Sequence, residues 1–307
     1  MSQTAAFRHE VMLYDSRETF VDGAAPFIRD AVDAGEPIMV AIGAEKIELL
    51  RSRLGADAEP VVFADMAELG ANPARIIPAW QEFVDEHAGL GRPMRGIGEP
   101  IWAERSPTEL IECQCHEALL NVAFAAAGDF HLICPYDTAQ LDEEVIAEAE
   151  RSHPYVGGAL SGAYRGDQAV PQFAAPLAEP PTVTLEHEIT HESLADLRHL
   201  TAAAAERAGL APQRAHDLVL SVHEISTNSV RHGGGRGVLR VWREPDALIC
   251  EVRDSGRIAQ QPLVGRVRPA LGQTGGWGLW LANQLCDLVQ LRELPHGSVV
   301  RLHQRTN

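Results

Sequence analysis

The stretch that decides the second half of this chain is Pro212–His232, PQRAHDLVLSVHEISTNSVRH. Its apolar positions Ala215, Leu218, Val222 and Ile225 recur at steps of three and four, which predicts an amphipathic helix. A second stripe on its flank, Asp217, Ser221, Glu224, Asn228 and Arg231, has the same spacing. Glu224 and Asn228 therefore project from one edge, a turn apart. A carboxylate and a carboxamide so placed can hold a hydrated divalent cation and orient an attacking hydroxyl, or can simply form a solvated helix face.

Two later segments weigh on that choice. Asp254-Ser255-Gly256 closes the apolar run ALICEVRD, which places a carboxylate at a strand end with a glycine beside it. Such a carboxylate can accept the exocyclic amine of a purine, and the glycine lets backbone approach the ring. Thr274-Gly275-Gly276-Trp277-Gly278-Leu279 then opens a helix with apolar positions Leu279, Ala282, Leu285 and Val289. Glycines at a helix N-terminus present amides and a positive dipole end to phosphate. Each segment alone is a weak signal, but the three in this order and at these intervals are strong.

Working outward, a strand is expected at 183–188, helices at 194–208 and 212–232, strands at 238–243 and 248–253, a helix at 278–287 and two terminal strands. That pattern is an α+β sandwich with helices on one face of a largely antiparallel sheet. Upstream, 11–14, 37–42, 60–64 and 130–134 read as strands alternating with helices at 17–34, 45–54, 73–87 and 106–127. This alternation predicts an α/β domain with a mostly parallel sheet.

Charge divides the chain at the same place. Of 43 acidic and 26 basic residues, 29 and 12 fall in residues 1–175, and 14 of each in 176–307. The break coincides with residues 165–182, RGDQAVPQFAAPLAEPPT, whose Pro171, Pro176, Pro180 and Pro181 predict a semi-rigid, extended linker. Three parts result: residues 1–164, a linker over 165–182, and residues 183–307. A net charge of −17 argues against nucleic acid or an anionic membrane surface as the main partner. Five cysteines, no signal-peptide pattern and no apolar run of membrane-spanning length lead to an expectation of a cytoplasmic protein with reduced thiols.

These residues resemble the nucleotide-binding core shared by gyrase-type ATPases, histidine kinases and bacterial anti-sigma-factor serine kinases. HEISTNSVRHG at 223–233 is similar to that family's N-box, DSG at 254–256 to its first glycine box, and GGWGLWLANQLCD at 275–287 to its second. The resemblance spans about 183–305. It implies ATP and Mg²⁺ as cofactors, Glu224 as general base, Asn228 as magnesium ligand and Asp254 as adenine contact. His232, Gly256, Gly275, Gly276, Trp277, Gly278 and Leu279 would line the nucleotide. The family's first box usually carries a second glycine where this chain has Ile258. The interval Arg257–Thr274 is a short lid, and no long helical hairpin precedes His187, so the anti-sigma serine kinases are resembled more than the histidine kinases. That branch implies a homodimer that binds a sigma factor and phosphorylates a serine on an anti-sigma-factor antagonist. The rivals are a sigma-sequestering, ATP-binding switch without kinase activity and a histidine-kinase-type sensor. Arg266 and Arg268 in the lid would meet phosphates or stand as solvated loop charges.

The first domain resembles the methanogen/methylotroph sensory (MEDS) domain over about 8–160. The matching stretches are GEPIW at 98–102, CHEALLN at 115–121, CPYD at 134–137 and SHP at 152–154. The resemblance implies sensing of a small-molecule or redox signal, with Trp102, Cys115, His116, Cys134 and Tyr136 as candidate sensor residues. Gly43-Ala44-Glu45-Lys46 lacks the P-loop pattern, so no nucleotide is expected there. Cys113 and Cys115, two apart on a helix, point to nearly opposite sides and cannot easily share an ion. Cys115 or His116 with Cys134 is geometrically open as a metal pair, against the plainer reading of a buried thiol and a core histidine.

Overall fold

A computed structural model describes residues 7–257, 262–270, 272–273 and 275–306; Ile258 and Thr274 lie outside them. The chain divides into two compact units, residues 1–173 and 174–307.

The first unit alternates strand and helix: β1 (Arg8–Tyr14), α1 (Arg17–Ala34), β2 (Ile38–Ile42), α2 (Ala44–Leu54), β3 (Val62–Asp65), α3 (Met66–Leu69), α4 (Ile76–His87), β4 (Met94–Gly98), α5 (Pro107–Ala123), β5 (Phe130–Asp137) and α6 (Glu143–Ser152). A short hairpin, β6 (Tyr155–Val156) and β7 (Ala159–Leu160), follows. The sheet runs β3-β2-β4-β5-β1-β6-β7 and is parallel throughout except for β7. All five residues of β2, IMVAI, are buried, as expected of a strand covered on both faces. Phe20, Ala24 and Ile28 of α1 and Ile47 and Leu50 of α2 pack with Ile38, Val40 and Ile42. Elsewhere Trp80 and Phe83 of α4 cluster with Phe130, and Phe124 meets Phe130 edge-on at 5.6 Å.

Helix ends follow local chemistry. Ser16 and Thr19 form a capping box at the start of α1, and Gly35, in the left-handed region at φ 66°, ends it. Strand β4 is missing from the expected elements because its sequence, MRGIG, is glycine-rich and short of strand formers. Tertiary packing explains those glycines: a Cβ at Gly96 would lie 2.8 Å from both Trp80 and Leu132, and one at Gly98 3.1 Å from Trp80. The strand gives up side chains so that the indole can lie against its backbone.

Where the sequence suggests an extended linker over 165–182, the first part is compact. Residues 166–169 and 171–174 form two 3₁₀ turns, and Val170 and Phe173 pack with Cys115 and Ala118 of α5.

The second unit contains β8 (Leu185–Ile189), α7 (Leu194–Ala208), α8 (Pro212–His232), β9 (Gly237–Arg243), β10 (Ala247–Asp254), α9 (Trp277–Leu285), β11 (Leu288–Leu294) and β12 (Gly297–Arg305). Its sheet, β11-β12-β10-β9-β8, is antiparallel at every pairing. Leu218, Val222 and Ile225 of α8, the apolar stripe read from the sequence, sit in a core with Leu197 of α7, Ala282 of α9 and Leu239, Cys250, Val252 and Leu302 of the sheet. The sheet also buries charge. Glu251, fully buried, accepts from Arg301 at 2.7 and 2.9 Å, from Arg253 at 2.6 Å and from Arg240 at 3.3 Å. The same arginines hold the chain entering the unit: Arg301 donates to the Ala178 carbonyl at 2.8 Å, and Glu179 accepts from Arg240 and Arg253 at 2.8 and 2.7 Å.

Candidate functional site

In the second unit the three sequence segments converge. Helix α8 carries Glu224 and Asn228, both half-buried, along one edge. The first turn of α9 lies directly over them. A Cβ on Gly278 would be 2.9 Å from Asn228 Nδ2 and 3.2 Å from Glu224 Oε2, so only glycine lets the α9 N-terminus approach this closely. Gly275 and Gly276 precede it at φ 110° and 84°, conformations that side chains rarely adopt, and both are exposed. A glycine-lined helix start thus stands beside a carboxylate and a carboxamide, an arrangement suited to phosphate and a divalent cation.

Asp254 ends β10 at the adjoining edge. Ser229 Oγ, one residue beyond Asn228, donates to Oδ2 at 2.6 Å, while Ser298 Oγ and the Gly256 amide donate to Oδ1 at 3.1 and 2.8 Å. A carboxylate offers about four lone-pair positions, so three donors fix its orientation and leave one acceptor position for a ligand. Gly256 is pressed against the end of α8: its Cβ would lie 2.6 Å from the His232 carbonyl and 2.8 Å from Gly233 Cα. His232 itself is exposed on the last residue of α8, so its backbone, not its ring, packs against this loop.

The described part of the lid is docked on α9. Asn283 donates to the Gly265 carbonyl at 2.9 Å, and a Cβ on Gly265 would strike Leu279 at 2.6 Å. Trp277 is half-buried, donates to the Gln273 carbonyl at 3.2 Å and meets Trp280 edge-on at 5.7 Å. Of the two lid arginines, Arg266 is buried, and Arg268 lies 5.9 Å from the Trp280 ring centre. Ser229 and Ser298 are the site residues that sequence reasoning missed. Ser229 lay inside the quoted N-box stretch, whereas Ser298 comes from β12 and has no local signal.

In the first unit the candidate sensor residues separate. Cys134, in the middle of β5, lies fully buried with its Sγ 3.3 Å from His9 Nε2. Tyr136 is buried two residues on and meets the His153 ring in a T-shaped contact at 5.8 Å. Cys115 faces the cluster with Val170 and Phe173 instead, and Trp102 is half-buried beneath the Arg105 guanidinium at 3.7 Å. His116 is buried on α5 next to Glu117, but the group that gathers around Cys134 consists of His9, Glu117 and His153. On a helix adjacent residues point about 100° apart, so it is Glu117, not Cys115 or His116, that turns toward β5.

Burial, with His153 alongside, holds the His9 imidazole down at about 4. Burial pushes the Cys134 thiol well up. A separate trio stands at the carboxyl ends of β1 and β4. Lys46 Nζ donates to Tyr14 Oη at 2.5 Å and to Glu99 Oε1 at 2.6 Å, and Tyr14 donates to the same oxygen at 2.6 Å.

The comparisons agree with this architecture. Residues 188–303 match the model of the histidine kinase-like ATPase domain family. Residues 8–154 match that of MEDS, the methanogen/methylotroph, DcmR sensory domain. The chain joins a MEDS domain to a histidine-kinase-like ATPase domain, a class that binds ATP. No curated protein matches the chain. Among the described residues no helix is long and apolar enough to cross a membrane.

Proposed function

We propose that this chain is a signal-responsive anti-sigma regulatory kinase. Its second domain binds Mg-ATP and phosphorylates a serine on an anti-sigma-factor antagonist, thereby controlling the availability of a sigma factor. The observation that carries the reading is the seating of Gly278 on Glu224 and Asn228, beside an Asp254 held by three donors with an acceptor position to spare. The residues fit the nucleotide: Asp254 would receive the adenine amine, Asn228 would ligate Mg²⁺, and the amides around Gly276 and Gly278 would face phosphate. When bound, Mg-ATP supplies a transferable phosphoryl group with its charge screened.

The chain's own residues do the rest. Glu224 stands on the edge of α8 toward the α9 N-terminus, where its carboxylate can take the proton of an incoming hydroxyl as general base. The serine-kinase reading is favoured over the histidine-kinase one by the chain before β8. His187 sits half-buried on a strand, and residues 175–184 contain no helix. A homodimer and control by the MEDS domain belong to the same proposal, as does a cytoplasmic location.

The test is phosphotransfer from labelled Mg-ATP to candidate antagonist proteins by the full chain and by Glu224→Gln. An acid-stable product lost in the variant, with nucleotide binding retained, supports the proposal. Acid-labile product would assign the protein to the histidine-kinase type. Binding without transfer by the wild type would make it a non-catalytic, sigma-sequestering switch.

A further inference from the structure

Four side chains from four separate elements meet in the interior of the MEDS domain: His9 of β1, Glu117 of α5, Cys134 of β5 and His153 just after α6. All are buried, none above 1% exposed, and one ligating atom from each lies within 4.8 Å of every other. The shortest separations are 3.1 Å from His9 Nε2 to Glu117 Oε2, 3.1 Å from His153 Nε2 to the same oxygen and 3.3 Å from His9 Nε2 to Cys134 Sγ. A tetrahedral zinc-type ion with its usual bond lengths to nitrogen, oxygen and sulfur has ligand-to-ligand edges of roughly 3.3–3.6 Å. Three of the six separations lie within a few tenths of an ångström of such edges, and the other three are at most 4.8 Å, so a small inward shift would close the frame on an ion.

Hydrogen bonding around the cluster shows what it lacks. His9 Nδ1 lies 3.2 Å from Asn121 Oδ1, and Asn121 spends its amide donor on the Ser152 carbonyl at 2.7 Å. His153 Nδ1 lies 2.8 Å from the Ala149 carbonyl and 3.1 Å from Ser152 Oγ, whose own proton goes to the Glu148 or Ala149 carbonyl. Both Nδ1 atoms therefore face acceptors and carry the proton, which leaves the Nε2 lone pairs of the neutral rings directed at the Glu117 carboxylate. Lone pairs facing a carboxylate in a dry interior repel unless a cation lies between them. A proton joins one directed pair and cannot satisfy the group. His153 Nε2, although close to Glu117, has no hydrogen-bond geometry to it, and Glu117 Oε1 also has no partner.

The geometry points to a closed, four-ligand transition-metal site, and we propose that the MEDS domain binds a zinc-class divalent ion through His9 Nε2, Glu117, Cys134 Sγ and His153 Nε2. The donor set of two imidazoles, a thiolate and a carboxylate suits zinc over calcium or magnesium. Asn121 and the Ala149 carbonyl act as the outer partners that orient the two rings. On binding, the Cys134 sulfhydryl gives up its proton to solvent and the sulfur takes a metal bond in its place, with no change of oxidation state. The ion would tie β1, β5, α5 and the end of α6 together, so its presence would set the rigidity of the domain's centre. All four positions are filled by protein, which makes the site structural or metal-sensing, with none open for a substrate.

The experiment is titration of the full-length chain, stripped of metal by chelator, with Co²⁺ as a spectroscopic probe and then with Zn²⁺. The proposal expects one equivalent of Co²⁺ per chain, intense visible bands of tetrahedral cobalt, a near-ultraviolet thiolate-to-cobalt band, and loss of all of them on adding Zn²⁺. Cys134→Ser should lose the near-ultraviolet band, Asn121→Ala should bind about 10–100-fold more weakly, and Cys115→Ser and His116→Gln should leave the spectrum unchanged. Should the cluster variants fail to fold, wild type alone decides: Zn²⁺ should raise the melting temperature of the stripped chain. No cobalt uptake, an octahedral spectrum, or a melting temperature indifferent to Zn²⁺ would overturn the proposal and leave the four side chains as a hydrogen-bonded core. A near-ultraviolet band that survives Cys134→Ser would overturn the assigned ligand set.

Discussion

Asp254 gives the sharpest test of the nucleotide site. Replacing it with Asn keeps the shape but removes the charge and converts one carboxylate oxygen into a donor. The three present donors are Ser229, Ser298 and the Gly256 amide. The two hydroxyls can rotate to accept, whereas the amide of Gly256 needs an oxygen and will keep Oδ1. The new NH₂ then faces Ser229 and the position left for a ligand's amine. Stability falls modestly, by about 1–2 kcal/mol, as charge-assisted bonds become neutral ones. Nucleotide binding falls more, because a donor now meets the donor of the adenine; losing a charge-assisted bond and leaving a buried donor unpaired costs about 2–4 kcal/mol, or roughly 30- to 1,000-fold in Kd. The assay is calorimetric titration of Mg-ATP into the wild type and the variant, with thermal unfolding to confirm that both are folded. An unchanged Kd in a folded Asp254→Asn protein would refute the assignment of this carboxylate to the base, and with it the orientation proposed for the nucleotide.

Other consequences can be checked on the same protein. Glu251→Ala leaves Arg240, Arg253 and Arg301 clustered in the sheet without their shared anion, and should destabilise the second unit by about 3–5 kcal/mol in denaturant unfolding. Gly96→Ala drives a methyl against Trp80 and Leu132 and should cost about 1–3 kcal/mol, partly relieved by Trp80→Phe. Hydrogen bonds from Arg240 and Arg253 hold Glu179 below the usual carboxylate range, so its contribution exists above that range and is lost as pH falls through it. Glu179→Gln should therefore lower stability near neutral pH, by under about 1 kcal/mol because the side chain is exposed, with the difference vanishing in acid. Burial pushes Cys113 up to about 12 and keeps Cys134, Cys250 and Cys286 from solvent; a thiol reagent at pH 8 should modify half-buried Cys115 first in the native protein, as mass spectrometry of the labelled peptides would show.

Much of this protein is determined by the sequence alone because its signals are local. The apolar stripe of α8 sets the face that enters the core, the capping box at Ser16 and the glycine at position 35 bound α1, and both domain classes follow from the order of strand and helix. The N-box and glycine boxes were legible for the same reason, since each is a contiguous run that needs particular residues at fixed helical spacing. Only the tertiary structure shows why Gly278 is a glycine, because the atoms that exclude a Cβ belong to another helix. It also supplies Ser298, a strand away from the carboxylate it holds, and β4, whose glycines look wrong for a strand until Trp80 lies across them. The cluster at the centre of the MEDS domain is the extreme case. From the sequence, Cys134 had Cys115 and His116 as its apparent company, since those residues are close together and of the right kind. In the fold, β1 pairs beside β5 while α5 turns Glu117 inward, so His9, Glu117 and His153, scattered over 145 positions of chain, become its neighbours. Spacing along a helix can be read from residues, but which strands lie side by side is settled by the packing of the whole sheet.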